Sequence, residues 1–145
     1  MVACIRRDYA AVKSLISNGA KVNLFVPPPS SSMSTKAPFS RVQPEMHHWT
    51  PLHFAVAYGS VNIAKYLLDN GANVEGDRGN DGSLLSCETP LQMASAQGNE
   101  EMVGLLLARG ADPTLSSLTE EVVFGAEAQR ATACAIVLAA GHGRR

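Results

Sequence analysis

Cysteine pairs, clustered charge and long apolar runs are all scarce in this chain, and each scarcity removes a class of protein. The three cysteines, Cys4, Cys87 and Cys134, are odd in number, far apart and without C-x-x-C spacing, which argues against a disulfide framework and against a zinc site. Twelve basic against thirteen acidic residues leave a net charge of −1. Nucleic acid and anionic membrane surfaces need clustered Lys and Arg, so neither is expected as a partner. The longest apolar run, Ala131 to Ala140, is interrupted by Thr132 and is about half the roughly 20 residues that span a bilayer. Arg6 and Arg7 have no apolar core behind them, so a secretory signal is not expected. A reducing compartment, cytoplasm or nucleus, is the expected location.

What remains is an ordinary globular balance, 46% apolar and 17% charged in 145 residues, with room for about one domain. Its organising stretch is Trp49-Thr50-Pro51-Leu52-His53-Phe54-Ala55-Val56-Ala57-Tyr58-Gly59 and the continuation to Gly71-Ala72. Thr50 suits a helix N-cap, and Pro51 the first helical position, where φ is already helical and no N–H is missed. Gly59 ends that helix. Ser60 is the expected cap of a second, whose pairs Ile63/Ala64 and Leu67/Leu68 form one apolar stripe at four-residue spacing. Gly71 supplies a left-handed stop.

The unit repeats. Thr89-Pro90-Leu91-Gln92-Met93-Ala94, Gly98-Asn99, Met102/Val103, Leu106/Leu107 and Gly110-Ala111 restate every feature. Counting back from Gly19, the chain opens inside an earlier copy that has lost its Thr-Pro-Leu: Asp8 is its second-helix cap, Val12, Leu15 and Ile16 its stripe, and Asn18-Gly19-Ala20 its terminator. Arg7 stands where Gly59 and Gly98 stand, in a turn whose positive φ favours glycine. After Pro113, Val137/Leu138 and Gly141 keep the spacing of a degenerate final copy over 117–141, with Ser117 and Glu120 at capping-box separation. An unrelated amphipathic helix pair is the alternative for this stretch.

This pattern resembles the ankyrin repeat, and the resemblance implies an all-α solenoid of about three to four stacked helix pairs joined by hairpin loops, the first incomplete and the last degenerate. The spacings between terminator glycines exceed the period of about 33, which marks two insertions. One, at 24–47, carries five of the eight prolines and Ser30-Ser31-Ser32; it reads as an extended loop, or as a docking or phosphorylation segment. The other, at 77–87, is rich in Gly, Asp and Asn and reads as a lengthened hairpin tip. The expected organisation is therefore 1–23, 48–76 and 88–113 as repeats, 117–141 as the degenerate one, and 142–145 as a frayed tail.

Chemistry is weakly represented. His47 and His48 lack a partner at metal-ligand spacing, Gly76, Gly79 and Gly82 do not form a phosphate loop, and a hydrolase built on Cys87 and His48 is a remote alternative. No catalytic residue, metal or cofactor is expected, and no small-molecule substrate. The resemblance assigns His53 a structural task, its ring tying repeat backbone together, with Gln92 one repeat later able to do the same. It also assigns a groove for a protein partner to Trp49, Ala57 and Tyr58, to Glu88, Ala96 and Gln97, and to Ile5 and Arg6. Of these, Arg6, Trp49, Tyr58, Glu88 and Gln97 are the candidate contacts, Trp49 and Tyr58 having the aromatic character of interface centres; alternatively, Trp49 packs against the proline-rich loop.

Finer details, Ala3-Cys4-Ile5-Arg6, Pro44-Glu45, His48-Trp49-Thr50, Phe54-Ala55-Val56 and Val74-Glu75-Gly76, resemble the ankyrin segment of ankyrin repeat and BTB/POZ domain-containing proteins over about residues 3–113. In that family the segment precedes a BTB domain, often used to recruit cullin-3 ubiquitin ligases, so the implied function is a scaffold or adaptor. A spacer within a larger scaffold is the alternative.

Overall fold

The computed structural model describes residues 1–25, 48–76, 88–114, 116–118 and 132–134. Six helices form three consecutive pairs: α1 (Val2–Ile5) with α2 (Tyr9–Ser17), α3 (Pro51–Ala57) with α4 (Val61–Asp69), and α5 (Pro90–Gln97) with α6 (Glu100–Ala108). The first helices α1, α3 and α5 pack side by side in one layer, and the second helices α2, α4 and α6 in another. The expected all-α solenoid is what the chain forms.

The pairs are built alike because their turns are alike. Between the helices of each pair stands a residue of positive φ: Arg7 at 56°, Gly59 at 66° and Gly98 at 65°. After each second helix comes a glycine near 87–89°, Gly19, Gly71 and Gly110. Each terminator closes a Schellman pair, as in Gly71 N–H to Leu68 O at 3.2 Å and Ala72 N–H to Leu67 O at 3.0 Å, which satisfies the last carbonyls of the helix.

Apolar residues of every pair meet in one core. Leu52, Phe54, Ala55, Val56, Ile63, Ala64 and Leu67 of the second pair join Leu91, Ala94, Met102 and Leu106 of the third and Cys4 and Val12 of the first. Register positions explain which residue does what: Leu67 is 2% exposed and Leu106 is 0% exposed, each in the middle of its stripe. Leu15, at the same position of the first pair, is 51% exposed. Leu15 keeps its place in the apolar stripe of α2, and in this pair the stripe is partly exposed. Among the described residues, α1 has four residues against seven in α3 and eight in α5, so α2 has a shorter first helix to pack against.

A correction concerns the C-terminal stretch. Among the described residues, Ser116–Leu118 (β1) and Thr132–Cys134 (β2) pair as antiparallel strands, Ser116 opposite Cys134 and Leu118 opposite Thr132. Ser117 is thus in a strand and not in a helix cap, and Cys134 is in a strand and not in a helix. A short apolar run beginning at β-branched Thr132 is compatible with either state by periodicity, and strand pairing decides it. The rest of the expected degenerate repeat, the two insertions and Cys87 lie outside the described residues.

Candidate interaction surface

The first helices of the second and third pairs, α3 and α5, each start with a capping box and end on the face where partner contacts are expected. In α5, Thr89 N–H donates to Gln92 Oε1 at 2.7 Å and Gln92 N–H donates to Thr89 Oγ1 at 3.2 Å, a reciprocal capping box. In α3, His53 replaces the glutamine. Thr50 N–H donates to His53 Nδ1 at 2.9 Å, so Nδ1 is an acceptor and the ring proton sits on Nε2. Nε2 in turn donates to Glu88 O of the next repeat at 3.0 Å. His53 is fully buried, and burial pushes its pKa down to about 4, the Glu88 bond opposing only in part.

The ring is also clamped from its faces. Trp49 stacks on His53 at 6.2 Å and 19°, and meets Phe54 edge-on at 5.2 Å. Gly76, at φ 81°, lies so close that a Cβ there would overlap the imidazole. Trp49 is therefore half-buried against its own repeat, with its remaining surface turned outward. His48, next to it, stacks on Phe25 at 5.6 Å, which joins the residues flanking the 26–47 segment.

The remaining candidates form a line. Arg6 caps α1, Tyr58 caps α3 and Gln97 ends α5. These are equivalent positions, 52 and 39 residues apart in the chain, like the terminator glycines, so the side-by-side packing of α1, α3 and α5 sets them in a row. All three are exposed, Tyr58 by 41%. Gln97 Nε2 donates to Ala57 O at 3.2 Å and braces one helix end against the next. Ile5, Ala57 and Ala96 form a parallel apolar row, Ile5 36% exposed and the alanines half-buried. Glu88 is half-buried, its carbonyl committed to His53. The surface thus offers a cation, a phenol and an amide over a small-residue floor, a set suited to an extended polypeptide.

Two polar ties escaped the reading of the sequence. Asn23 Nδ2 donates to Gly71 O at 3.0 Å while its Oδ1 accepts from Asn73 N–H at 2.8 Å. Glu75 Oε1 accepts from Asp112 N–H at 2.7 Å. Asn23 and Glu75 each stand four residues after a terminator glycine, and that shared polar position is the signal that could have revealed them. They lace the loops of successive repeats, as the Arg109–Asp69 ion pair at 2.6 Å laces α6 to α4.

Cys4 is buried in the core, which pushes its thiol pKa up and keeps it protonated. Among the described residues no three His, Cys, Asp or Glu side chains cluster as metal ligands, and no helix is long and apolar enough to cross a membrane.

Repeated helix pairs with shared caps, left-handed stops and a histidine bridging repeats define a helical-repeat protein. A family model for ankyrin repeats matches in three copies over residues 1–117, and the chain belongs to that family. It is 34% identical over 99 residues to the ankyrin repeat, SAM and basic leucine zipper domain-containing protein 1 of Dasypus novemcinctus, covering 64% of this chain and 20% of that one. It is 43% identical over 63 residues to the 26S proteasome non-ATPase regulatory subunit 10 of Dictyostelium discoideum, covering 43% of this chain and 25% of that protein. The chain thus spans about a fifth to a quarter of these relatives' lengths. Among solved structures, the human ASB11 ankyrin repeat domain superposes with a TM-score of 0.55 at 32% identity, covering 78% of this chain and 40% of that one.

Proposed function

We propose that the chain is a non-catalytic interaction module that holds a protein partner along the face formed by the ends of its first helices. The observation that carries this reading is the row Arg6, Tyr58 and Gln97, three exposed side chains at equivalent positions of α1, α3 and α5. Tyr58 is the centre of the row and its energetic anchor, since a phenol supplies apolar area and a hydrogen-bonding tip together. Trp49 and Glu88 border it. Ankyrin repeats are a general protein-binding module, and the partner's identity is open.

Within a longer protein carrying a BTB domain, the same face would be the target-binding half of a cullin-3 ubiquitin-ligase adaptor; support for this comes from Ala3-Cys4-Ile5-Arg6, His48-Trp49-Thr50 and the other residues quoted above. The three unpaired-by-spacing cysteines favour work in a reducing compartment, cytoplasm or nucleus. A photoreactive group at position 58 tests the surface. Crosslinks from it to a protein that Tyr58→Ala no longer retains, with Lys65→Ala on the other helix layer as a neutral control, support the proposal. Equal retention by wild type and Tyr58→Ala contradicts it.

A further inference from the structure

Leu52 and Leu91, the second residues of α3 and α5, are 0% and 1% exposed, enclosed in the core. Each stands three residues before an alanine, Ala55 and Ala94. Ala3 is the equivalent alanine of the first pair, and no described residue takes the leucine's place ahead of it. A hollow of about 60 Å³ lies on that side of α1, and Cys4, Leu15, Ile16, Val22, Pro51 and Leu67 contribute to its wall. Ala3 and Cys4 both line it. They fall three and four residues after the leucine position, the spacing at which side chains share one helix face.

The wall matches, position for position, one that the next pair fills. Cys4, Leu15, Ile16 and Val22 correspond by register to Val56, Leu67, Leu68 and Val74, while Pro51 and Leu67 correspond to Pro90 and Leu106. All of these belong to the core that encloses Leu52 or pack against it. Size restricts the occupant further. An apolar cavity of roughly 150 Å³ takes benzene, so about 60 Å³ suits a branched aliphatic side chain and not an aromatic one. Lys21 is the one charged side chain on the wall, exposed where the later pairs have Asn73 and Asp112. We infer that the hollow anchors a protein partner by taking one of its leucine side chains, in the place that Leu52 and Leu91 hold within their own repeats, with an acidic residue of the partner facing Lys21. Leucine is the occupant because this chain seats it twice in the equivalent place. Arg6 stands at the other end of α1, so the leucine site is separate from the row of Arg6, Tyr58 and Gln97 and holds whether or not that row binds.

The probe is a blocked peptide with the sequence of residues 88–93, Glu-Thr-Pro-Leu-Gln-Met, titrated into the whole chain and followed by amide NMR. Saturable shifts of Cys4, Leu15, Ile16 and Val22 are expected, with Met102 and Val103 of the third pair unmoved. Alanine in place of the peptide's leucine should weaken binding roughly 10- to 100-fold, the loss of one buried leucine side chain, and phenylalanine there should weaken it too. Leu15→Glu, tolerated because the site is half-exposed, sets a carboxylate in the wall and should abolish the response. Placing Thr-Pro-Leu directly before Met1 supplies the leucine in cis, and should raise the melting midpoint and abolish the response as well. Equal binding of the leucine and alanine peptides, or an undiminished response once Thr-Pro-Leu is added, would overturn the inference. So would the absence of saturable shifts, which would mean that the chain fills the hollow itself. The same shifts on concentrating the chain without peptide would give the hollow to a second copy and equally overturn it.

Discussion

His53 joins three parts of the molecule through one ring: the cap of its own helix, the backbone of the next repeat and the indole of Trp49. The cap bond from Thr50 N–H needs Nδ1 unprotonated, and the bond to Glu88 O needs a proton on Nε2, so the pair together fixes the neutral Nε2–H ring. Because burial holds the folded pKa at about 4 against an ordinary 6.5, the stability from the neutral form is complete above pH 6.5 and is lost as pH falls toward 4. The full loss amounts to roughly 3 kcal/mol. Urea denaturation between pH 7.5 and 5 should show stability falling with acid, and His53→Gln should flatten that slope. Glutamine keeps the acceptor role that Gln92 plays but has nothing to titrate; an undiminished slope in the variant contradicts the assignment. The same ring dictates Gly76. Gly71→Ala meets only backbone strain at φ 89°, about 1–2 kcal/mol, whereas Gly76→Ala adds an overlap with His53 and should lose clearly more in thermal melts.

At the scale of the element, turns decide more than helices do. Arg7 carries a left-handed backbone without glycine's freedom, so Arg7→Gly should raise stability by about 0.5–1 kcal/mol, the strain relieved less the entropy glycine adds to the unfolded chain. A lower melting midpoint would show that the arginine's contacts outweigh its strain. This strain was legible from register alone, because Gly59 and Gly98 stand where Arg7 does. The Thr50 and Thr89 caps were legible too, from Thr-Pro at the helix start; that His53 and Gln92 close them into capping boxes was not read. Ser60 misled for a geometric reason: at ψ near 80–90° the Asp8 and Asn99 side chains reach the third N–H of their helices, and a serine does not. For Leu15, periodicity marks which face of α2 is apolar and does not by itself say how far a neighbour covers it. Ties between separate loops, Asn23 to Gly71 and Glu75 to Asp112, depend on distances across repeats that composition and periodicity do not encode. On the candidate surface, Arg6, Tyr58 and Gln97 came from the ankyrin resemblance, carried over position by position. It did not reveal how far Trp49 turns inward, which follows from its packing on His53.

At the scale of the whole molecule, three short helix pairs live by lending one another apolar cover. None of α1 to α6 exceeds nine residues, well short of the roughly 12–15 at which isolated helices become even marginal in water. Stability is therefore a property of neighbouring pairs, and the partner-binding row exists only while α1, α3 and α5 stay in register. The most direct measurement is the same substitution at one register position in all three pairs: Leu15→Ala, Leu67→Ala and Leu106→Ala, compared by equilibrium urea denaturation. Stacking predicts a loss of about 2–5 kcal/mol at Leu67 and Leu106, enough to unfold much of the population at moderate temperature, and a loss below about 1 kcal/mol at half-exposed Leu15. Equal losses at all three positions, or melts of Leu67→Ala and Leu106→Ala that match the wild type, would contradict it.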